Sequence, residues 1–247
     1  MIPIFYTDPE NIIEEALYID GAEGKHLRDV MRRQKGELII VVDGLGNAYK
    51  CEIEKISKDK INCTVITKTR QFGEPLHFVT LAAGLSTGYK FDEVIMRATE
   101  LGVSRFLPLI TEKSKIKIDD EKREKNKLAR WQKVAVASMK QTRRSFLPEI
   151  SPITNFDNML KNLEESHTTI LFDPTYADKN LQNIKVENEN KKINIIIGPE
   201  SGFSKEEINL AREHDCQIVK IGPRILRTEN ASPVAIALIM NMLSELR

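Results

Sequence analysis

Apolar positions follow two different rhythms along this chain. Up to about residue 70 they alternate or gather in short runs. Leu38-Ile39-Ile40-Val41-Val42 is an apolar segment that ends in Asp43-Gly44-Leu45-Gly46-Asn47, which is turn chemistry. Tyr49, Cys51, Ile53 and Ile56 then nearly alternate, and Ile61, Cys63, Val65 and Ile66 follow a Lys58-Asp59-Lys60 turn. Just after Gly24, Leu27, Val30 and Met31 stand at i, i+3, i+4 spacing, which predicts one short helix. Together these features predict a barrel of five or six strands with a helix.

Gln71-Phe72-Gly73-Glu74-Pro75 has the Gly and Pro of a linker, and the rhythm changes beyond it. Strands are predicted at Leu76–Ala83, Phe106–Ile110, Thr169–Phe172, Ile193–Ile197 and Ile218–Ile221. Helices alternate with them. One runs over Asp92–Leu101 and stops at Gly102; a long polar one covers residues 120–141, with Leu128, Trp131, Val134, Ala135 and Met139 on one side. Another is capped by Ser204, with Glu207 three residues on as a capping box, and Pro233–Leu246 closes the chain. This alternation predicts an α/β domain around a mainly parallel sheet, and a division into residues 1–72 and 73–247.

Composition narrows the class. No apolar run reaches the roughly 18–20 residues of a membrane span. The start, MIPIFYTDPE, carries acid where a secretory signal carries base. Cys51, Cys63 and Cys216 are widely spaced and form no CxxC pair, which fits a reducing cytoplasm better than a disulfide framework or zinc site. The four histidines are isolated, so no metal is expected. Charge is nearly balanced overall but unevenly spread: twelve Lys or Arg face four Asp or Glu between Lys113 and Arg144. A second basic cluster, Lys25, Arg28, Arg32, Arg33 and Lys35, is interrupted by Asp29. Such patches are either RNA footprints, through counterion release, or solvated helix faces.

Three glycine-rich segments are candidate ligand loops. Val41–Gly46 looks superficially like the turn of a Rossmann-type methyltransferase, but it leads into a β-alternating segment and reads as a hairpin turn. Ile193–Ser204 stands between a buried strand and a capped helix, where α/β ligands bind, and is either a ligand loop or a structural turn. Neither GxxxxGK[ST] nor GxGxxG occurs in it. Ile221-Gly222-Pro223-Arg224-Ile225-Leu226-Arg227-Thr228-Glu229-Asn230-Ala231 follows another strand. Two arginines and a glutamate there mark a site or an ion-pair network.

Together these segments resemble the RsmE family, SPOUT-class enzymes that methylate N3 of a uridine in small-subunit ribosomal RNA. Gly198-Pro199-Glu200-Ser201-Gly202 matches the family's G-P-E-G-G loop, and Ile221 through Ala231 match L-G-x-R-[IV]-L-R-T-E-T-A. The likeness extends to Glu100-Leu101-Gly102-Val103, Trp131-Gln132-Lys133, Gln141, Arg144 and Pro148. In the N-terminal unit it takes in Gly24, His26, Leu27, Val30, Met31, Arg32, Gly36, Asp43 and Gly44. Departures are Ser201 for a glycine, Asn230 for threonine and Asp29 for arginine. Ser201 narrows its loop, and Asp29 reverses a charge on the face assigned to RNA.

The resemblance implies a PUA-like barrel followed by an α/β domain with a deep trefoil knot, which the general avoidance of threaded loops argues against. It also implies a homodimer acting on small-subunit RNA, within the assembled subunit, with S-adenosylmethionine as cofactor. Its cofactor loops map to Leu171–Pro174, Ile197–Gly202 and Ile221–Thr228, with Leu171, Phe172, Ile197, Gly198, Pro199, Glu200, Gly202, Ile221, Gly222, Leu226 and Thr228 as the cofactor residues. Arg224, Arg227 and Glu229 are the expected catalytic residues: an arginine for charge on a uracil oxygen, and Glu229 as base or, preferably, to orient an arginine. Lys25, Arg28, Arg32, Arg33, Arg143 and Arg144 are the expected RNA contacts. A SPOUT enzyme with another RNA target, or an RNA-binding assembly factor without catalysis, are the alternatives.

Overall fold

The computed structural model describes residues 2–86, 88–116, 120–163, 168–184, 186 and 192–246. Contacts divide the chain into two compact units, Met1–Glu74 with Val136–Leu147, and Pro75–Ala135 with Pro148–Arg247. A single cut after residue 72 does not express the grouping of residues 136–147 with the N-terminal unit.

In that unit six strands form one sheet: β1 (Ile4–Tyr6), β2 (Ile12–Ile13), β3 (Ala16–Asp20), β4 (Leu38–Val42), β5 (Asn47–Ile56) and β6 (Lys60–Arg70), in the order β1-β4-β5-β6-β3-β2. Alternation does what it predicts. Cys51 and Ile53 of β5 are buried with Ile39 and Val41 of β4 and Ile61 and Cys63 of β6, while Glu52 and Glu54 face solvent. The glycine-rich turn closes the β4–β5 hairpin, as its sequence context indicates. The Asp43 carboxylate holds it, accepting from the amides of Leu45 (2.8 Å) and Asn47 (3.1 Å), Asn47 Nδ2 (2.7 Å) and the Tyr49 hydroxyl (3.2 Å).

The helix after β3 departs from expectation. α1 (Gly21–Lys25) passes into a π-turn over His26–Val30, where the Met31 amide donates to the His26 carbonyl five residues back. The wider turn breaks the 3.6-residue register. Leu27 is therefore fully buried, but Val30 and Met31 are turned to solvent, Val30 being 67% exposed.

Residues 136–147 supply the rest of this unit's core. Met139 is fully buried with Val42 and Ala48. Arg144 donates from Nε (3.0 Å) and Nη2 (2.7 Å) to Glu74 Oε2, while Glu74 Oε1 accepts from the amides of Ser145 and Phe146. The Arg144 and Glu74 side chains are only 3% and 4% exposed. Arg144 is thus a buried structural cation and not the RNA contact expected of it.

The second unit holds eight parallel strands: β7 (Phe78–Gly84), β8 (Arg105–Ile110), β9 (Glu149–Ile150), β10 (Thr154–Asn155), β11 (Thr168–Phe172), β12 (Lys179–Asn180), β13 (Lys192–Ile197) and β14 (Gln217–Lys220). Their order is β10-β8-β7-β13-β11-β14-β12, with β9 beside β8. Burial on both faces explains the isoleucines at 193, 195, 196 and 197 of β13, and the one buried polar side chain among them, Asn194, donates from Nδ2 to Thr169 Oγ1 at 3.1 Å. The helices of this unit are α2 (Lys90–Glu100), α4 (Phe156–Lys161), α5 (Lys205–Glu213) and α6 (Thr228–Met242), together with α3 (Glu121–Gln141) as far as Ala135, the end of α3 from Val136 belonging to the N-terminal unit. α3 buries Trp131, Ala135 and Met139, as the spacing predicts. The capping box of α5 is complete: Ser204 Oγ accepts from the Glu207 amide, and Glu207 Oε2 accepts from the Ser204 amide.

α6 starts five residues before Pro233, where the sequence places its beginning. A proline inside a helix removes the donor for the carbonyl four residues earlier. Here that carbonyl belongs to Glu229, and Arg97 Nη1 donates to it at 3.3 Å. A side chain from α2 thus serves the acceptor, and the helix runs through the proline. The two-residue strands β9, β10 and β12 and the six-residue α4 are too short to leave a periodic signature.

Candidate functional site

Adjacent strands β13, β11 and β14 end level, since Phe172 pairs with Ile197 on one side and Val219 on the other. Each strand therefore delivers a loop to the same carboxyl edge of the sheet, where open α/β folds bind ligands. The loops are residues 173–178, 198–204 and 221–227. They enclose a crevice. One end is lined by Val219, Lys220, Ile221, Gly222 and Arg224, the other by Lys90, Gly198–Phe203 and Ile225–Thr228; Phe172, Asp173, Pro174, Ile197, Leu226 and Ala231 border both.

Local chemistry fixes each loop. Buried Asp173 accepts from the amides of Thr175 (2.7 Å) and Tyr176 (2.8 Å), folding its loop back at once. The 198–204 loop lies directly on β7: a Cβ on Gly84 would sit 2.2 Å from the Pro199 nitrogen. The Gly202 amide closes a turn onto the Pro199 carbonyl, and its φ of +67° is one that side chains resist. Thr228 Oγ1 donates to the Gly198 carbonyl at 3.2 Å, tying the second loop to the third. Arg227 is the N-cap of α6, yet its side chain makes no capping bond and lies with the crevice lining.

Charge is concentrated at one end. Lys90, the first residue of α2, forms an ion pair with Glu200, and its Nζ is 3.9 Å from Glu229 Oε1. The hydrogen bond to Glu200 holds the Lys90 ammonium above its ordinary range, and the same bond holds the Glu200 carboxyl below its own. Positive charge on Lys115 and Arg227 lowers Glu200 further. Glu229 Oε2 is buried without a hydrogen-bond partner. Its ion pair is with Lys90, so Glu229 does not orient an arginine by the pairing expected of it.

Of the residues expected to hold cofactor, Phe172, Ile197, Gly198, Pro199, Glu200, Gly202, Ile221, Gly222, Leu226 and Thr228 line the crevice. Leu171 does not: one residue earlier in an alternating strand, it points into the core with Ile196 and Phe203. Arg224 and Arg227 stand at opposite ends of the crevice. Lys90 is not among the expected residues, and Asp173 falls inside the expected Leu171–Pro174 loop without being named for itself. A charged residue immediately after an apolar strand was the available signal for Asp173; Lys90 required knowing that β7 lies beside β13.

The basic residues of the N-terminal unit separate into two kinds. Lys25 and Arg32 are exposed. Arg33 is paired with Glu37 at 3.6 Å, and the Arg143 guanidinium lies over the Phe72 ring. Arg28 is committed elsewhere: it pairs with Asp29 and donates to the carbonyls of Ser57 and Lys58. It clamps the β5–β6 turn, and Asp29 neutralises it.

Comparison with known proteins completes the picture. The family described as RNA methyltransferase domain matches residues 73–240, and RNA methyltransferase PUA domain matches residues 19–66. The ribosomal RNA small subunit methyltransferase E of Bacillus subtilis is 32% identical over 237 residues, covering 92% of this chain and 91% of the relative. That of Synechocystis is also 32% identical, covering 95% and 76%. Among solved structures, the Neisseria gonorrhoeae ribosomal RNA small subunit methyltransferase E bound to S-adenosyl methionine superposes with a TM-score of 0.88 at 27% identity, over 98% of each chain. A putative methyltransferase from Legionella pneumophila in complex with the same cofactor gives 0.87 at 26%, again over 98% of each. The fold is the one expected, a PUA-like β unit and a SPOUT-type α/β domain. Similar in sequence and fold over nearly its whole length, the chain belongs to the ribosomal RNA small subunit methyltransferase E family.

Proposed function

We propose that this protein uses S-adenosylmethionine to methylate N3 of a specific uridine in 16S ribosomal RNA, acting in the cytoplasm on the assembled small subunit. The observation that carries the proposal is the meeting of three loops, from β11, β13 and β14, in one crevice with Arg224 and Arg227 on its rim. Relatives named as ribosomal RNA small subunit methyltransferases align over 92% and 95% of the chain, and two solved neighbours hold the cofactor.

The crevice suits an adenosyl group. Apolar Phe172, Ile197, Ile221 and Leu226 face its interior, and glycines at 198, 202 and 222 let a ligand approach the backbone. When bound, the cofactor supplies an activated methyl group on sulfonium sulfur. The protein's work is then to position and to stabilise charge. N3 lies on the Watson–Crick edge, so the uridine is taken unpaired or flipped out. Arg227, or Arg224 in its place, stabilises negative charge developing on a uracil carbonyl oxygen as the N3–H bond breaks and its proton passes to solvent water. Glu229 holds Lys90, and through it Glu200, at the mouth of the crevice. Exposed Lys25 and Arg32, with Arg33 and Arg143, meet RNA phosphates.

The homodimer is supported by α6. Its core face buries Ala235, Ile236, Ile239 and Met240, while Val234 and Leu238 of the opposite face are exposed, as is Ile225 just before the helix. Exposed apolar side chains on the outer face of a helix whose inner face is already buried favour a second cover, and a two-fold copy provides it.

The test is methyl transfer from labelled cofactor to small subunits purified from a strain lacking this protein, followed by mass-spectrometric mapping. A single 3-methyluridine is expected. Cofactor binding without transfer to any RNA would leave a non-catalytic assembly factor, and a product elsewhere in RNA would replace the target.

A further inference from the structure

Ser86 follows β7 at the same sheet edge, and its hydroxyl is buried with no hydrogen-bond partner. Native folds rarely leave such a group unpaired, and a ligand is one way to complete it. Ser86 lines a hollow whose other polar residues are Lys115, Glu200 and Ser201, and whose apolar walls are Leu85, Ile116 and Pro199; the Ser201 hydroxyl is already committed, donating to the Lys113 carbonyl at 2.6 Å. Pro199 and Glu200 also wall the cofactor crevice, so Glu200 borders both spaces. Arg227 borders only the crevice, and Lys115 only the hollow. After the bond to Lys90, both cations contribute to the low affinity of Glu200 for its proton, so both lie within electrostatic reach of it.

We infer that this hollow receives the target uracil, and that Arg227, Glu200 and Lys115, with Ser86 beside Lys115, read its Watson–Crick edge as donor, acceptor and donor. The inference rests on the uridine N3 reading and names the groups that recognise the base. Uracil presents a carbonyl oxygen, the N3 hydrogen and a second carbonyl oxygen, the complement of that row. Cytosine presents an amino donor and a bare N3, so it sets donor against donor and lone pair against carboxylate. The assignment puts N3 at Glu200, the residue that borders the methyl donor's crevice. It also gives the Ser86 hydroxyl the partner it lacks.

The experiment compares Ser86→Ala, Lys115→Met, Lys115→Arg and Glu200→Gln with the parent protein. Single-turnover methylation of unmethylated small subunits is measured beside calorimetric affinity for S-adenosylmethionine. Ser86→Ala and Lys115→Met should each slow transfer on the order of tenfold, and Glu200→Gln about a hundredfold. Cofactor affinity should stay within about twofold for the two hollow variants, and Lys115→Arg should recover most of the rate. Transfer within about twofold of the parent in Ser86→Ala and Lys115→Met overturns the inference while leaving the methyltransferase reading intact. Rate and cofactor affinity falling in proportion also overturn it, since the hollow would then merely brace the crevice. Failure of the parent itself to methylate any RNA removes both readings at once.

Discussion

The guanidinium of Arg97 donates to the backbone carbonyl of Glu229, the acceptor that Pro233 leaves without its helical donor. Arg97 also reaches Asn230 Oδ1 at 3.4 Å, so one side chain serves two successive residues in the first turn of α6. Arg97→Met should cost about 1.5–3 kcal/mol of stability, the range for losing a hydrogen bond to a charged group. Pro233→Ala restores an amide at that carbonyl. In the double variant the cost of removing Arg97 should therefore shrink, a coupling measurable by urea denaturation of the four proteins. Strict additivity would mean that Arg97 does not stand in for the missing amide.

Arg227→Ala should slow methyl transfer by about a hundredfold, with a much smaller change in cofactor affinity. The backbone of Arg227 starts α6, its carbonyl accepting from the amides of Asn230 and Ala231, and alanine keeps both bonds. A loss confined to the side chain is thus separable from a loss of the helix start. Near-normal turnover moves the catalytic assignment to Arg224; parallel loss of rate and affinity makes Arg227 structural.

Gly84→Ala should abolish cofactor binding and lower the melting temperature, because the added carbon would meet the Pro199 nitrogen at 2.2 Å and displace the loop. At Gly202 the obstacle is backbone conformation, since a Cβ there has only Asp173 Oδ2 at 4.0 Å. Gly202→Ala should therefore cost only about 1–2 kcal/mol. Calorimetry with S-adenosylmethionine and a thermal melt of each variant distinguish the two. Equal behaviour would contradict the contact between β7 and the loop.

The ion pair of Lys90 and Glu200 sets a pH window. Glu200, held low by Lys90, contributes stabilisation that is present above the unfolded carboxylate pKa and lost as pH falls through the depressed folded value. Lys90, held high, contributes below the ordinary lysine value and loses its share as pH rises through the elevated one. Lys90→Met should let the Glu200 titration climb back toward 4.5, followed by carbon-detected NMR. Global stability should barely move, because both groups are well exposed. An unshifted Glu200 titration would show that Lys90 does not govern it.

Burial pushes the thiols of Cys51, Cys63 and Cys216 up to about 12. The folded protein should therefore resist a thiol reagent at pH 8, and all three cysteines should react in denaturant. Rapid labelling of any of them in the native state would mean that its part of the core opens readily.

Legibility in the sequence followed the range of the interactions concerned. The capping box at Ser204 and Glu207, the hairpin turn at Asp43 and the buried run of β13 each depend on neighbours a few residues away, and each reads directly. Gly198, Gly202, Arg224 and Arg227 were legible as a motif. Lys90 was not, because its role comes from Glu200, 110 residues along the chain. Arg144 reads as one basic residue among many until Glu74 is beside it. The start of α6 misled because a proline usually ends a helix, and Arg97 cancels that rule from another element.

Residues 136–147 have a further consequence for how the protein is made. Strands β1 to β6 leave the ribosome well before Met139 and Arg144, which complete their core and satisfy Glu74. The intervening roughly 60 residues, at a synthesis rate of roughly 5–20 per second, impose a delay of about 3–12 s. Through that interval the nascent sheet carries an uncovered apolar patch at Val42 and Ala48 and a carboxylate awaiting its cation. A chaperone that recognises nascent chains, or a pause in translation near codon 75, would have its greatest effect there.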